Sequence, residues 1–265
     1  MLHAHDALPR GLAISPIHAF SDNFIWCLHN QHDAVVVDPG QAEPVLEFLQ
    51  QHNLRLTAIL VTHHHYDHTG GISKLMSLNP GLDVIGPRGG HIRGITWSVK
   101  ENDTVTLPAL GLEFTTLEVP GHTLDHIAFY GHGSLFCGDT LFNGGCGRLF
   151  EGSPEQMLHS LKKFIRLPDD TRVYCAHEYT QANLAFAKAV EPDNSDLLAL
   201  SSAVDDIRAH NQPSVPTDLA TQRRTNPFLR ADVPAVQQAA NQKSDDSLTD
   251  EVTVFATIRK WKDEF

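Results

Sequence analysis

Four apolar runs in this chain lead, at their carboxyl ends, into residues that can bind metal, so its fold must bring several strand ends to one place. Residues 56–62 run straight into His63, His64, His65, Tyr66, Asp67 and His68, followed by Gly70 and Gly71. Residues 112–119 precede His122 in P-G-H-T, residues 135–137 precede Asp139 in C-G-D-T, and residues 172–176 precede His177 in A-H-E-Y. Loops at strand ends are where a rigid scaffold converges side chains for chemistry. Borderline-soft divalent metals take imidazole nitrogen and carboxylate oxygen, and H-x-H-x-D-H offers more ligands than one open site draws from a single loop. A pair of metals is the simpler reading. A histidine cluster in a loop can instead be merely solvated, but three further strand ends with the same placement weigh against that.

The rest of the chain reads as a layered α/β scaffold followed by helices. Short apolar runs at 12–17, 24–28 and 34–37 predict strands, the last buried on both faces because its apolar residues are continuous. Residues 43–52 space Val45, Leu46, Leu49 and His52 as a helix does, with Pro44 in the first turn, where its missing N–H costs little. A helix is expected over 72–78, stopped by Asn79, Pro80 and Gly81, and another over 154–167. Strands are expected near Val84 and Val105 and over 112–119, 127–130, 135–137 and 172–176. Two sheets covered by helices is the natural layered solution. Beyond His177 no further strand is expected. Residues 181–190, 196–211 and 248–265 read as helices separated by Pro192, Pro213, Pro216, Pro227 and Pro234, which places a boundary near residue 178.

Composition narrows the function classes. With 20 Lys and Arg against 32 Asp and Glu, the net charge of −12 opposes a surface built for nucleic acid or anionic membrane. The 17 histidines among 265 residues are an excess that favours metal binding. Cys27, Cys137, Cys146 and Cys175 form no C-x-x-C pair and are too sparse for a disulfide framework. The opening M-L-H-A-H-D-A-L-P-R lacks the apolar core of a secretory signal, and no apolar run approaches a membrane span. A cytoplasmic, monomeric protein is expected.

The run T-H-H-H-Y-D-H with G-H-T, G-D-T and a later strand-terminal histidine resembles the metallo-β-lactamase fold superfamily. F-C-G-D-T-L-F-N-G-G-C-G-R-L-F-E-G (136–152), A-H-E-Y-T (176–180), N-P-F-L-R (226–230) and R-K-W-K-D-E-F (259–265) narrow the resemblance to the glyoxalase II, or hydroxyacylglutathione hydrolase, family. It implies an α/β fold: an αββα sandwich of two mixed sheets covered by helices over residues 1–177, then a helical substrate-binding domain over 178–265. It implies two divalent metal ions, with zinc first and iron or manganese tolerated. His63, His65 and His122 would hold one ion and Asp67, His68 and His177 the other, with Asp139 bridging. His64 and Tyr66 match no ligand position. Asp38, in D-P-G, either orients a ligand imidazole or caps a turn.

The implied reaction is attack of a hydroxide, held between the metals, on the thioester of S-D-lactoylglutathione or a related S-(2-hydroxyacyl)glutathione, a step of methylglyoxal detoxification. Asp139 and Asp67 are then the catalytic carboxylates, and Asp67 either ligates only or also orients the hydroxide. An anionic glutathione conjugate needs a local cationic clamp on an acidic protein. The resemblance gives that role to Arg259 and Lys262, with Arg148, Phe150 and Tyr179 lining the substrate; Phe150 falls where some relatives carry Tyr. In the last helix Val254, Ile258, Trp261 and Phe265 form the expected apolar stripe, with Arg259 and Lys262 at its edge. Those two cations also suit a helix C-terminus without any ligand. Cys146 is expected to be loop backbone rather than a nucleophile. A β-lactamase, a nuclease and a persulfide dioxygenase of the same superfamily are the related alternatives. A non-catalytic metal-binding protein is the alternative of another class.

Overall fold

The fold is given by a computed structural model, which describes residues 8–89, 91–244, 247–248 and 250–265. Residues 1–7, where no secretory signal is expected, lie outside the described residues, as does residue 249 in the expected last helix. The chain forms two compact units, residues 1–118 with 125–138 and residues 119–124 with 139–265.

The first unit begins with a sheet of six strands in sequence order: β1 (Ala13–Ala19), β2 (Asn23–His29), β3 (Asp33–Val37), β4 (Arg55–Leu60), β5 (Asp83–Pro87) and β6 (Trp97–Val99). β1, β2 and β3 pair antiparallel, with Ile17 opposite Ile25 and Cys27 opposite Val36. From β3 onward the ladders are parallel, which demands crossovers. The first crossover is helix α1 (Ala42–His52), whose Ala42, Val45 and Leu49 are buried at helical spacing and which stops at Asn53 in the left-handed region. The second comprises the single turn α2 (Tyr66–Thr69) and α3 (Ile72–Leu78). The two crossovers share one core: Val45 and Leu49 of α1 and Ile72 and Leu75 of α3 cluster with Ile25, Val36, Ile59 and Val84 of the sheet.

A second ladder follows in the same unit, β7 (Thr104–Leu107), β8 (Leu112–Glu118), β9 (Ile127–Gly131) and β10 (Ser134–Gly138), antiparallel throughout. Phe114, Phe129 and Phe136 are fully buried in it, Phe114 and Phe136 edge to face with centroids 5.8 Å apart. The amide of Ile127 at the start of β9 donates to the Thr62 carbonyl (2.9 Å), fastening the chain beyond β4 to this ladder.

The second unit carries the small hairpin β11 (Leu141–Phe142) and β12 (Gly145–Cys146), helix α4 (Pro154–Ile165), strand β13 (Arg172–Cys175), and helices α5 (Thr180–Val190) and α6 (Ser195–Ala209). Then come β14 (Thr217–Asp218), α7 (Leu219–Thr225), a 3-10 turn (Pro227–Leu229), α8 (Pro234–Asn241) and α9 (Glu251–Glu264). Ser153 and Gln156 form a reciprocal capping box that starts α4. Asn194, Asp218 and Asp250 accept from backbone amides in the first turns of α6, α7 and α9.

Three sequence expectations change. β14 is a strand beyond His177, two residues long and antiparallel to β13. Between the expected helices 196–211 and 248–265 lie two more, α7 and α8; Pro234 opens α8 and Pro227 the 3-10 turn, each in a first turn where a missing N–H is harmless. The buried face of α9 is Val254, Phe255, Ile258 and Arg259, while Phe265 lies beyond the helix and is largely exposed. Phe255 turns inward because Phe228 waits there at 5.7 Å, edge to face, itself stacked on Phe186 at 5.9 Å.

These three rings are the aromatic core of the helical segment, all fully buried. Phe228→Ala is expected to cost about 3–5 kcal/mol of unfolding free energy. Denaturant titration checks this, and a loss below about 1 kcal/mol would show that the rings do not hold the segment together.

Candidate metal centre

In the first unit the site grows from the chain just beyond β4. The Thr62 amide donates to Asp38 Oδ1 (2.7 Å) and its hydroxyl to Asp38 Oδ2 (2.7 Å). The Thr62 oxygen in turn accepts from His63 Nδ1 (3.0 Å), and Asp38 Oδ2 accepts from His68 Nδ1 (3.0 Å). Asp38 is buried and left-handed at φ 54°, so it does more than cap a turn: it orients the His68 imidazole. With their Nδ1 atoms facing these oxygens, His63 and His68 turn their Nε2 atoms to the opposite side. His63 Nε2 faces His65 Nδ1 at 3.2 Å, and His68 Nε2 faces Asp67 Oδ2 at 3.3 Å. The buried His126 ring stacks on His63 with centroids 4.5 Å apart.

Asp67 is held from two sides. Asn23 Nδ2, at the start of β2, donates to Asp67 Oδ2 (3.0 Å). Gly40 lies so close beneath the loop that any Cβ would overlap the Asp67 carbonyl, which explains the glycine after Asp38 and Pro39. His64 turns away to pair with Asp125 (2.9 Å), and Tyr66 is 74% exposed.

In the second unit Asp139 lies between two imidazoles. Its Oδ2 is 3.4 Å from His122 Nε2 and its Oδ1 is 3.4 Å from His177 Nε2, one oxygen to each ring. His122 Nδ1 donates to the Arg148 carbonyl (2.8 Å), which again leaves Nε2 facing the carboxylate. His177 stacks on Tyr179, rings 4.6 Å apart and 5° from parallel, and Phe150 sets its ring edge to face with His122 at 5.2 Å. Gly147 is required because a Cβ would overlap the Asp139 carbonyl.

The loop from 142 to 148 is secured by buried amides. Asn226 Nδ2 donates to the carbonyls of Gly145 (2.9 Å) and Phe142 (3.3 Å), and Gln222 Oε1 accepts from the Gly144 amide (2.9 Å). Gln222 Nε2 donates to Asn143 Oδ1 (2.8 Å), and Asn183 Nδ2 to the Asn143 carbonyl (3.2 Å). Such a satisfied polar network rigidifies what it holds.

These separations test whether the residues fit a metal. Ligands at about 2.0–2.1 Å in a tetrahedron stand about 3.3 Å from each other. The facing atoms, at 3.2–3.4 Å, have that spacing, and for His63, His68 and His122 the outer nitrogen is tied to a protein oxygen. The donor set is neutral imidazole and carboxylate, suited to zinc, iron or manganese.

The cysteines are all buried. Burial pushes the Cys27 and Cys175 thiols up to about 12 and raises that of Cys146, although the Arg259 cation pulls the latter back. None is a thiolate nucleophile. The cations sit in the second unit. Arg148 is exposed, and Lys262 Nζ donates to the Ala182 carbonyl (3.2 Å). Burial, then the Arg259 charge, lowers the Lys262 pKa, with Asp263 opposing. Arg259 is buried on the Cys146 carbonyl (2.8 Å), where sequence reasoning placed it at a helix edge facing substrate. Sequence reasoning missed Asn23, His126, Asp263 and the amide network. Asn226 inside N-P-F-L-R, Asn143 inside the 136–152 motif and Asp263 inside R-K-W-K-D-E-F lay within motifs but had no role assigned.

The profile of the Metallo-beta-lactamase superfamily matches residues 22–177, and that of the Hydroxyacylglutathione hydrolase C-terminus matches residues 178–265. A hydroxyacylglutathione hydrolase of Nitrosomonas eutropha is 52% identical over 252 residues, 95% of this chain and 98% of the relative. Another, of Pseudoalteromonas translucida, is 50% identical over 256 residues, 95% of this chain and 99% of the relative. Among solved structures, ETHE1 from Myxococcus xanthus is similar in fold, with a TM-score of 0.62 at 23% identity, covering 95% of this chain and 97% of that one. The fold is that of the metallo-β-lactamases, two mixed sheets with helices, extended by a helical C-terminal segment. Both profiles, the near full-length relatives and the paired imidazole and carboxylate clusters agree: this chain belongs to the hydroxyacylglutathione hydrolase family of thioester hydrolases.

Proposed function

We propose that this chain hydrolyses S-(2-hydroxyacyl)glutathione thioesters, S-D-lactoylglutathione foremost, to glutathione and the 2-hydroxy acid, using two divalent metal ions held by its histidines and aspartates. The observation that carries this reading is Asp139, which offers one carboxylate oxygen toward His122 and the other toward His177. A carboxylate so divided suits two cations rather than one. In the proposed ligand set His63, His65 and His122 hold one ion, Asp67, His68 and His177 the other, and Asp139 both. Zinc is the first candidate, with iron or manganese compatible. When bound, such a pair supplies a nucleophilic water at neutral pH and polarises the substrate carbonyl.

The chain's own groups do the rest. Asp67, steadied by Asn23, is positioned to accept a proton from the attacking water. Water adds to the thioester carbon, the carbon–sulfur bond breaks, and glutathione leaves as thiolate with the carboxylic acid as the other product. Arg148 and Lys262 offer positive charge to an anionic substrate on a chain of net charge −12. Tyr179 and Phe150, each stacked or edged on a ligand imidazole, form apolar walls beside the reacting group. The reading includes a catalytic portion over 1–177 and a helical substrate-binding portion over 178–265, divided where the two profiles meet. It also includes a monomer in the cytoplasm; no helix among the described residues is long and apolar enough to cross a membrane.

Release of thiol from S-D-lactoylglutathione by purified, metal-replete protein tests the proposal, and an inert protein with full metal content would defeat it. Asp139→Ala is expected to lose the paired metals and at least about 1,000-fold in kcat. A variant that keeps both metals and full turnover contradicts the bridging role. A second expectation concerns pH. Because the Lys262 pKa is lowered, its charge is lost earlier than that of an ordinary lysine as pH rises, so KM should climb at a lower pH than the loss of an ordinary lysine's charge would bring. Lys262→Arg should flatten that climb, and a KM profile identical in the two proteins removes Lys262 from the binding site.

A further inference from the structure

The cations around the end of α9 are not three independent charges. Arg259 is 6% exposed and its donors are turned inward. Nη1 donates to the Cys146 carbonyl (2.8 Å), Nη2 to Asp263 Oδ1 (3.0 Å), and Nε is buried without an acceptor. The Phe228 ring covers the guanidinium at 4.9 Å. Arg148, on the loop that follows Cys146, has a side chain 56% exposed and donates through Nε to the same Asp263 Oδ1 (3.1 Å). Its two terminal nitrogens make no hydrogen bond among the described residues.

One carboxylate oxygen thus joins two guanidiniums. Its charge offsets the repulsion between them. It also fixes the direction of Arg148. A guanidinium held through Nε keeps its terminal N–H groups as a planar fork suited to a carboxylate.

We propose that Asp263 is a positioning residue for substrate binding: it locks Arg148 onto the buried Arg259–Cys146 anchor, so that the Arg148 fork, beside Lys262, meets a carboxylate of the glutathione moiety. This rests on the function proposed above. Asp263 sits on the last turn of α9 with its side chain 32% exposed, so replacing it leaves the buried face of the helix intact.

The test is a kinetic cycle on the full-length, metal-replete protein with S-D-lactoylglutathione. Asp263→Ala should raise KM about tenfold with kcat within about twofold of the parent. Asp263→Asn, which keeps the shape and one acceptor oxygen, should raise it less. In an Arg148→Ala background, Asp263→Ala should change KM by less than about twofold, because its effect runs through Arg148. The same tenfold rise in that background would show a merely structural role and overturn the inference. So would a fall in KM in Asp263→Ala, which would make the carboxylate a competitor of the substrate. An active parent with an unchanged KM in Asp263→Ala defeats the inference alone, whereas an inert parent defeats the proposed function along with it.

Discussion

An imidazole presents one nitrogen to a metal in a fixed direction only when its other nitrogen is held, and here that outer hold organises the site. Asp38 takes three hydrogen bonds, two from Thr62 and one from His68, while Thr62 passes the constraint on to His63. The Arg148 carbonyl does the same for His122. Each anchor is main chain or sits next to a strand end: Asp38 follows β3, and Thr62 lies beyond β4, bonded through its carbonyl to Ile127 of β9. The ends of β3 and β4 therefore set the directions of the His63 and His68 rings. The cost of burying these polar groups is offset because each finds a partner.

Much of this was legible along the chain because the signals are local. Helix α3 runs from Ile72 to Leu78 as expected, since Ile72 and Leu75 share a face and N-P-G ends it. The strand ends carrying His63, His122, Asp139 and His177 fall where apolar runs stop. The orienting role of Asp38, one of two readings of D-P-G, emerges only when His68 is seen 3.0 Å away. Pro234 read as a breaker because a proline in isolation does not say whether it ends one helix or begins the next. β14 is two residues long and has no periodicity to detect. Asn23, Asp263 and the amides of Asn183 and Gln222 act on partners far along the chain, and no local pattern announces such pairings.

Arg259 shows the same limit from the other side. A helical wheel puts it at the margin of the apolar stripe, and the family resemblance suggests a ligand-facing cation. Phe255, drawn toward Phe228 and Phe186, rotates the buried face so that Arg259 goes inside with it and spends its charge on Cys146 and Asp263. In the proposed function recognition and chemistry share a framework: the loop 142–148 that carries Arg148 follows from Asp139 and is clamped by Gln222 and Asn226.

The central claim is that these imidazoles and carboxylates hold two neighbouring ions and not one. X-ray absorption on protein loaded to saturation with zinc tests it most directly. The account predicts nitrogen and oxygen ligands at about 2.0–2.2 Å with no sulfur, and a metal–metal vector at about 3.5–4 Å. A single ion per chain at saturation, with no second metal scatterer, would contradict it.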